Sequence, residues 1–241
     1  MKIYVVGTGP GGISGMTYRA RHAIEMCEVI AGYGFYLDLI SELTAGKKLI
    51  STGMTGEVGR ASAAIAEALS GKSVCVISGG DAGVYGMAGL VLELAEAHPQ
   101  LEVEVIPGVT AACSASAVLG APLTHDFAAI SLSDRLTDWG TIEKRLDCAA
   151  QADFVICLYN PASKTRTDHL KNACEIIMKH RAPETPCGLV RNIERADESV
   201  SFMSLKELRE AKADMFTTAV IGSSATKIIN GRLVTPRGYV I

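Results

Sequence analysis

Three separated turns carry residue types that can hold a ligand against the main chain: Gly7-Thr8-Gly9-Pro10-Gly11-Gly12, Gly79-Gly80-Asp81-Ala82-Gly83-Val84-Tyr85 and Ile106-Pro107-Gly108-Val109-Thr110-Ala111-Ala112. A glycine lets backbone amides and carbonyls approach a ligand that a Cβ would keep at a distance. Asp81 has a bland role, capping a helix that begins near Val84, and that role is compatible with bonding a ligand hydroxyl or cation. Each turn follows a short apolar run, Lys2 to Val6, Ser73 to Ile77 and Val103 to Ile106. In an open α/β sheet such turns lie at the carboxyl ends of strands, where ligands bind, so the three together point to one cleft.

Gly7, Gly9 and Gly12 also match the dinucleotide fingerprint Gly-x-Gly-x-x-Gly. Two features oppose that reading. Pro10 is followed by a helical pattern only from about Thr17, and Ile30-Ala31-Gly32-Tyr33 lacks the acid that would hold a ribose hydroxyl. A nicotinamide-dependent oxidoreductase is the second reading, and tight turns with no ligand role remain the simplest account of any single glycine.

Other chemistry is sparse. Cys27, Cys75, Cys113, Cys148, Cys157, Cys174 and Cys187 are scattered without a Cys-x-x-Cys pair and read as reduced thiols. The five histidines, His22, His98, His125, His169 and His180, show no metal-ligand spacing, so no metal is expected. A net charge of -3 without a long basic run disfavours a nucleic-acid partner. Met1 to Val6 reads as a strand rather than a signal peptide, and no apolar run reaches the ~20 residues of a membrane span. No membrane association and a cytoplasmic location are therefore expected.

The elements that must position these residues alternate. Strand patterns fall near 2–6, 28–31, 73–78, 102–106, 127–132, 153–158, 186–191, 199–203 and 217–222, with a further one at 232–234. Helical periodicity covers 56–69, 84–97, 109–119, 139–150, 164–180 and 205–211. With 48% hydrophobic and 20% charged residues in 241, the chain supports a large core of the α/β class. Gly120-Ala121-Pro122-Leu123 stops a helix and predicts two domains, 1–120 and 121–241, the second with a mixed sheet.

The three turns resemble the marks of the tetrapyrrole (corrin/porphyrin) methylase family: Gly-x-Gly-Pro-Gly at Gly7 to Gly11, Gly-Gly-Asp at Gly79 to Asp81, and Pro-Gly-x-Thr-Ala at Pro107 to Ala111. The resemblance covers essentially the whole chain. Ala82 departs from it, since many relatives have proline after the loop aspartate. His125 to Asp134, Leu158 to Lys164, Val190-Arg191-Asn192 and Val234 to Tyr239 are similar to one branch, the precorrin-3B and cobalt-factor III C(17)-methyltransferases.

The resemblance implies two α/β domains with mixed, largely parallel sheets and a cleft between them, a homodimer, and S-adenosyl-L-methionine as cofactor, leaving as S-adenosyl-L-homocysteine. It implies methylation of C(17) of a tetrapyrrole with ring contraction, in corrin biosynthesis. Cofactor contacts are carried over to Pro10, Gly79, Gly80, Asp81, Val84, Thr110 and Ala111, and from the second half to Leu158, Asn192, Thr218 and Ala219. Ring contraction needs proton transfers, for which His125, Asp126, Ser131 and Asp134 are candidates, although the two aspartates could equally be turn residues. A flat ring bearing carboxylates calls for cations and aromatics at the rim: Arg135, Lys164, Arg166, Arg191, Tyr85 and Tyr159. Methylation of another corrin position, of RNA or of a protein histidine, and a non-catalytic tetrapyrrole carrier are the other readings.

Overall fold

The computed structural model describes residues 1–53, 55–163 and 165–240. They divide into two compact units, Met1–Ala111 and Ala112–Ile241. The helix before Gly120 thus clusters with the second unit rather than with the first.

The first unit runs β1 (Lys2–Gly7), a 3-10 turn at Ile13–Gly15, α1 (Tyr18–Met26), β2 (Val29–Tyr33), α2 (Gly34–Leu39), α3 (Ser41–Thr44), β3 (Lys48–Thr52), α4 (Glu57–Leu69), β4 (Val74–Ser78), α5 (Ala88–Ala95) and β5 (Glu102–Ile106). The strands form one sheet in the order β3-β2-β4-β1-β5, every pairing parallel. Central strands of such a sheet are covered on both faces and read as unbroken apolar runs, as β4 does: all five of its residues are buried. On one face Ile3, Val5, Val74 and Val76 pack with Ala61, Ala64 and Ile65 of α4 and Val91 of α5. On the other, Val6, Ile30, Cys75 and Ile77 pack with Ala20, Ala23 and Ile24 of α1. Each fully enclosed aliphatic side chain contributes about 1.5–3 kcal/mol. After β1 the chain crosses beyond β4 to β2, and after β4 it crosses beyond β1 to β5. The winding therefore reverses between β4 and β1, the topological switch point of the sheet, where ligands of open α/β folds bind.

The second unit is built from α6 (Ala111–Leu119), β6 (Gly120–Ala121), β7 (Phe127–Ser131), α7 (Trp139–Gln151), β8 (Val155–Tyr159), α8 (His169–Ile177), β9 (Pro186–Arg191), β10 (Ser199–Ser204), α9 (Leu205–Leu208), β11 (Thr217–Ile221), β12 (Lys227–Ile229) and β13 (Arg232–Val234). Its main sheet, β10-β9-β11-β8-β7, is mixed, with β7 and β8 parallel and the other three pairings antiparallel. Ile130, Ile156, Leu158, Ala219 and Ile221 form a core with Ile142 and Leu146 of α7 and Leu170, Ala173 and Ile177 of α8. A small sheet, β12-β13-β6, ties the last strands to the segment after α6.

Several helices are shorter than their periodicity predicts, among them the one expected over 205–211, which ends at Leu208. The helix expected from 84 begins at Ala88, because Asp81 to Met87 folds as successive turns and Tyr85 adopts φ 55. The helix expected over 164–180 runs only from His169 to Ile177. The short strand β3 and the helices α2 and α3 were not expected.

Candidate active site

Strands β4, β1 and β5 are neighbours, so the three glycine turns emerge side by side at the carboxyl edge of the first sheet. Their backbones are bonded together. Gly9 N–H donates to Gly80 O at 3.0 Å and Gly80 N–H to Gly9 O at 2.7 Å, while Thr8 donates to Ser78 O through both N–H (2.9 Å) and Oγ1 (3.0 Å). Asp81 joins the third turn. Its Oδ1 accepts from Gly83 N–H (2.7 Å) and Val84 N–H (3.1 Å), and its Oδ2 from Gly108 N–H (2.9 Å). The expected helix cap is therefore a brace between two loops. Ser78 Oγ accepts the buried Met87 N–H at 3.0 Å, closing the far end of the second turn.

Gly80 adopts φ +68, where an L side chain is strained. Gly108 is obligatory for a different reason: a Cβ there would fall 2.6 Å from Gly7 C and O. Of the expected cofactor residues, Pro10 is buried, whereas Gly79, Gly80, Asp81, Val84, Thr110 and Ala111 are half-buried along this rim. The turns thus offer main-chain groups and small side chains rather than a nucleophile, a surface suited to holding a small ligand in a fixed orientation.

In the second unit β7, β8 and β9 run the same way, so Ser131, Tyr159 and Arg191 end at one edge, where antiparallel β11 begins opposite Arg191 at Thr217. Asn160, at φ 52, donates from Nδ2 to Ser131 Oγ at 3.0 Å, and the same oxygen accepts Ser133 N–H at 3.2 Å. Tyr159 Oη accepts Ala112 N–H at 2.8 Å, at the start of α6. Asp134 Oδ2 lies 3.1 Å from His169 Nε2, and Asp134 Oδ1 lies 3.7 Å from Arg166 Nε. Arg166 Nη1 also donates to Leu132 O at 3.2 Å. The hydrogen bond from His169, with the Arg166 charge nearby, holds the Asp134 carboxyl below its ordinary range. The Trp139 ring meets that imidazole edge-on at 4.6 Å.

This geometry separates the four proton-transfer candidates. Ser131 and Asp134 lie at the carboxyl end of β7, but His125 and Asp126 precede its first residue and are exposed. The five-residue strand puts about 17 Å between the two pairs. Leu158 and Ala219 are paired across strands and wholly enclosed in the core. Thr218 is buried beside them, and Asn192, at φ 52, has its amide committed to Asp197 (2.6 Å) and Arg195 (3.2 Å). Arg191 is held by Asp214 at 2.7 Å and Asp197 at 3.5 Å, so its charge is already countered. Arg135 is exposed, and Lys164 lies outside the described residues. Asn160, His169 and Trp139 join the edge without having been singled out. Asn160 had a local signal, since asparagine tolerates the left-handed region, whereas His169 had none.

The family model for Tetrapyrrole (Corrin/Porphyrin) Methylases matches residues 2–209. A cobalt-factor III methyltransferase of Priestia megaterium is 48% identical over 99% of this chain, which spans 45% of that protein's length. A probable cobalt-factor III C(17)-methyltransferase of Salmonella typhimurium, strain LT2, is 44% identical over 98% of this chain and 99% of its own. The crystal structure of the methyltransferase CobJ matches 97% of this chain and 99% of its own with a TM-score of 0.90 at 35% identity. A cobalt precorrin-4 methyltransferase, at 21% identity and a TM-score of 0.77, shares the fold. By sequence and by fold alike, the chain belongs to the tetrapyrrole methylase family.

Proposed function

We propose that this protein transfers a methyl group from S-adenosyl-L-methionine to C(17) of cobalt-factor III or precorrin-3B, with contraction of the macrocycle, in corrin biosynthesis. The observation that carries this reading is the braced triplet of turns, Gly7 to Pro10, Gly79 to Val84 and Pro107 to Ala111, in a chain whose relatives bear that activity in their names. Methyl transfer is an in-line displacement at a sulfonium carbon and needs no covalent nucleophile. Orientation can supply up to about 7–11 kcal/mol of the barrier, and main-chain groups held by other main-chain groups orient a ligand firmly. Pro10, Gly79, Gly80, Asp81, Val84, Thr110 and Ala111 are assigned to the cofactor. Of the second-unit candidates, Thr218 and Asn192 stand nearer the sheet edge than Leu158 and Ala219, which serve the core. Tetrapyrrole contacts are assigned to Tyr159, Arg135 and the Ser131 to Asp134 turn.

Most of the assigned cofactor residues fall in the first expected domain, 1–120, and the tetrapyrrole residues in the second, 121–241. A homodimer in the cytoplasm completes the reading, and among the described residues no helix is long and apolar enough to cross a membrane. The deciding experiment is anaerobic incubation with S-adenosyl-L-methionine and, separately, cobalt-factor III and precorrin-3B, followed by mass spectrometry. Gain of one methyl on either is expected and identifies the pathway. No gain on either, with cofactor bound, would reassign the substrate within the family.

A further inference from the structure

We propose that His169 is the proton-transfer residue of the second unit and that Asp134 is its orienting carboxylate. The proposal rests on the methyltransferase reading above. A sulfonium cofactor enters with one positive charge and leaves neutral, so the methyl arrives as a cation equivalent. The macrocycle returns to its original charge only by releasing one proton. A base must therefore meet the substrate, and the chain's own side chains offer few at the carboxyl edge of the second sheet.

His169 has the required arrangement. Nε2 is engaged by Asp134 Oδ2 at 3.1 Å, while among the described residues Nδ1 makes no hydrogen bond. In the tautomer that donates Nε2–H to the carboxylate, Nδ1 carries a free lone pair, the pattern of a base oriented by an acid. The side chain is 18% exposed, enclosed enough to be held yet not sealed from solvent. Trp139 limits ring rotation, and its own Nε1 donates to Glu143 at 2.8 Å. The charged groups around the imidazole are Asp134 from the turn after β7, Arg166 from the segment before α8, and Glu143 of α7, which accepts from the indole. The hydrogen bond from His169, with a smaller part from the Arg166 charge, favours the ionised form of Asp134, so the carboxylate steadies the imidazolium once it forms.

In the step, one C–H or O–H bond of the macrocycle breaks as the methyl is received, its electron pair stays on the ring system, and one Nδ1–H bond forms. Release of that proton to solvent resets the imidazole. No oxidant or reductant enters.

The test is single-turnover methyl transfer, read by quenched mass spectrometry across pH 5 to 9, on the wild type, H169Q and D134N, each checked for folding by circular dichroism and for cofactor binding by calorimetry. The wild-type rate is expected to rise with pH. H169Q is expected to bind cofactor normally, to lose roughly 100-fold in rate and to lose that rise. D134N is expected to move the rise to lower pH, because the imidazolium loses its neighbouring charge. A folded H169Q with wild-type rate and profile overturns the proposal alone, whereas a wild type that methylates no tetrapyrrole removes the underlying reading and the proposal with it.

Discussion

At Asp81 one carboxylate satisfies three amides from two loops. Asp81→Ala leaves Gly83, Val84 and Gly108 N–H without their acceptor, and stability should fall by about 1–3 kcal/mol. Because the same contacts set the loop spacing, cofactor affinity measured by calorimetry should fall at least tenfold while the protein stays cooperatively folded; wild-type affinity would deny Asp81 a part in the site. Asp81→Asn should also weaken binding, since an amide that keeps Oδ1 toward Gly83 and Val84 turns its NH2 on the Gly108 donor. The reactivity of the thiols is likewise a matter of individual residues. Burial pushes Cys157 and Cys174 each up to about 12, whereas Cys113 and Cys148 are exposed. Iodoacetamide at pH 8 should label Cys113 and Cys148 well before Cys157 and Cys174 in the native protein, as peptide mass spectrometry would record.

Helices and strands were legible where burial is continuous. β1, β4, β8 and β11 are apolar because neighbours cover both sides, and their boundaries follow from composition. β3 escaped because an edge strand reading Lys48-Leu49-Ile50-Ser51-Thr52 is half exposed and carries no clean alternation. The start of α5 was misplaced because periodicity continues through Val84, while Asp81 and the positive φ of Tyr85 keep that stretch in turns. The glycine turns were visible from their residue types, but the brace at Gly108 was not, since its partners are 27 residues apart. The Asp134–His169 pair was hidden in the same way, spanning 35 residues with no local pattern. Element interiors also suggest improvements. Gly59 in α4 and Gly89 in α5 have open space where a Cβ would stand, unlike Gly108. Gly59→Ala and Gly89→Ala should each add about 0.5–1 kcal/mol in urea unfolding, whereas Gly108→Ala should cost at least about 1–3 kcal/mol because only backbone can yield.

Across the whole molecule, carboxylates held by donors make folding sensitive to acid. Glu28 accepts from Ser73, Glu67 from Lys48 and Lys72, Glu104 from Lys2 and Arg19, Asp134 from His169 and Asp138 from Thr141, and each titrates below its ordinary range. Depressed values in the folded state mean that this stabilisation is complete above about pH 4–5, where the unfolded carboxyls are ionised, and is lost as pH falls through the lower folded values. Urea midpoints should therefore be level from pH 6 to 5 and decline steeply below 4; a flat profile to pH 3 would contradict it. The strand order of the first unit has a further bearing on how the protein is made. β1 is flanked by β4 and β5, so once synthesised this strand has no partner in its sheet until the chain has been extended past Ser78, and is not enclosed until Ile106 has emerged. At about 5–20 residues per second, an apolar segment and its glycine turn wait some 5–20 s in the open, which makes this stretch of the nascent chain a natural client for a chaperone during synthesis.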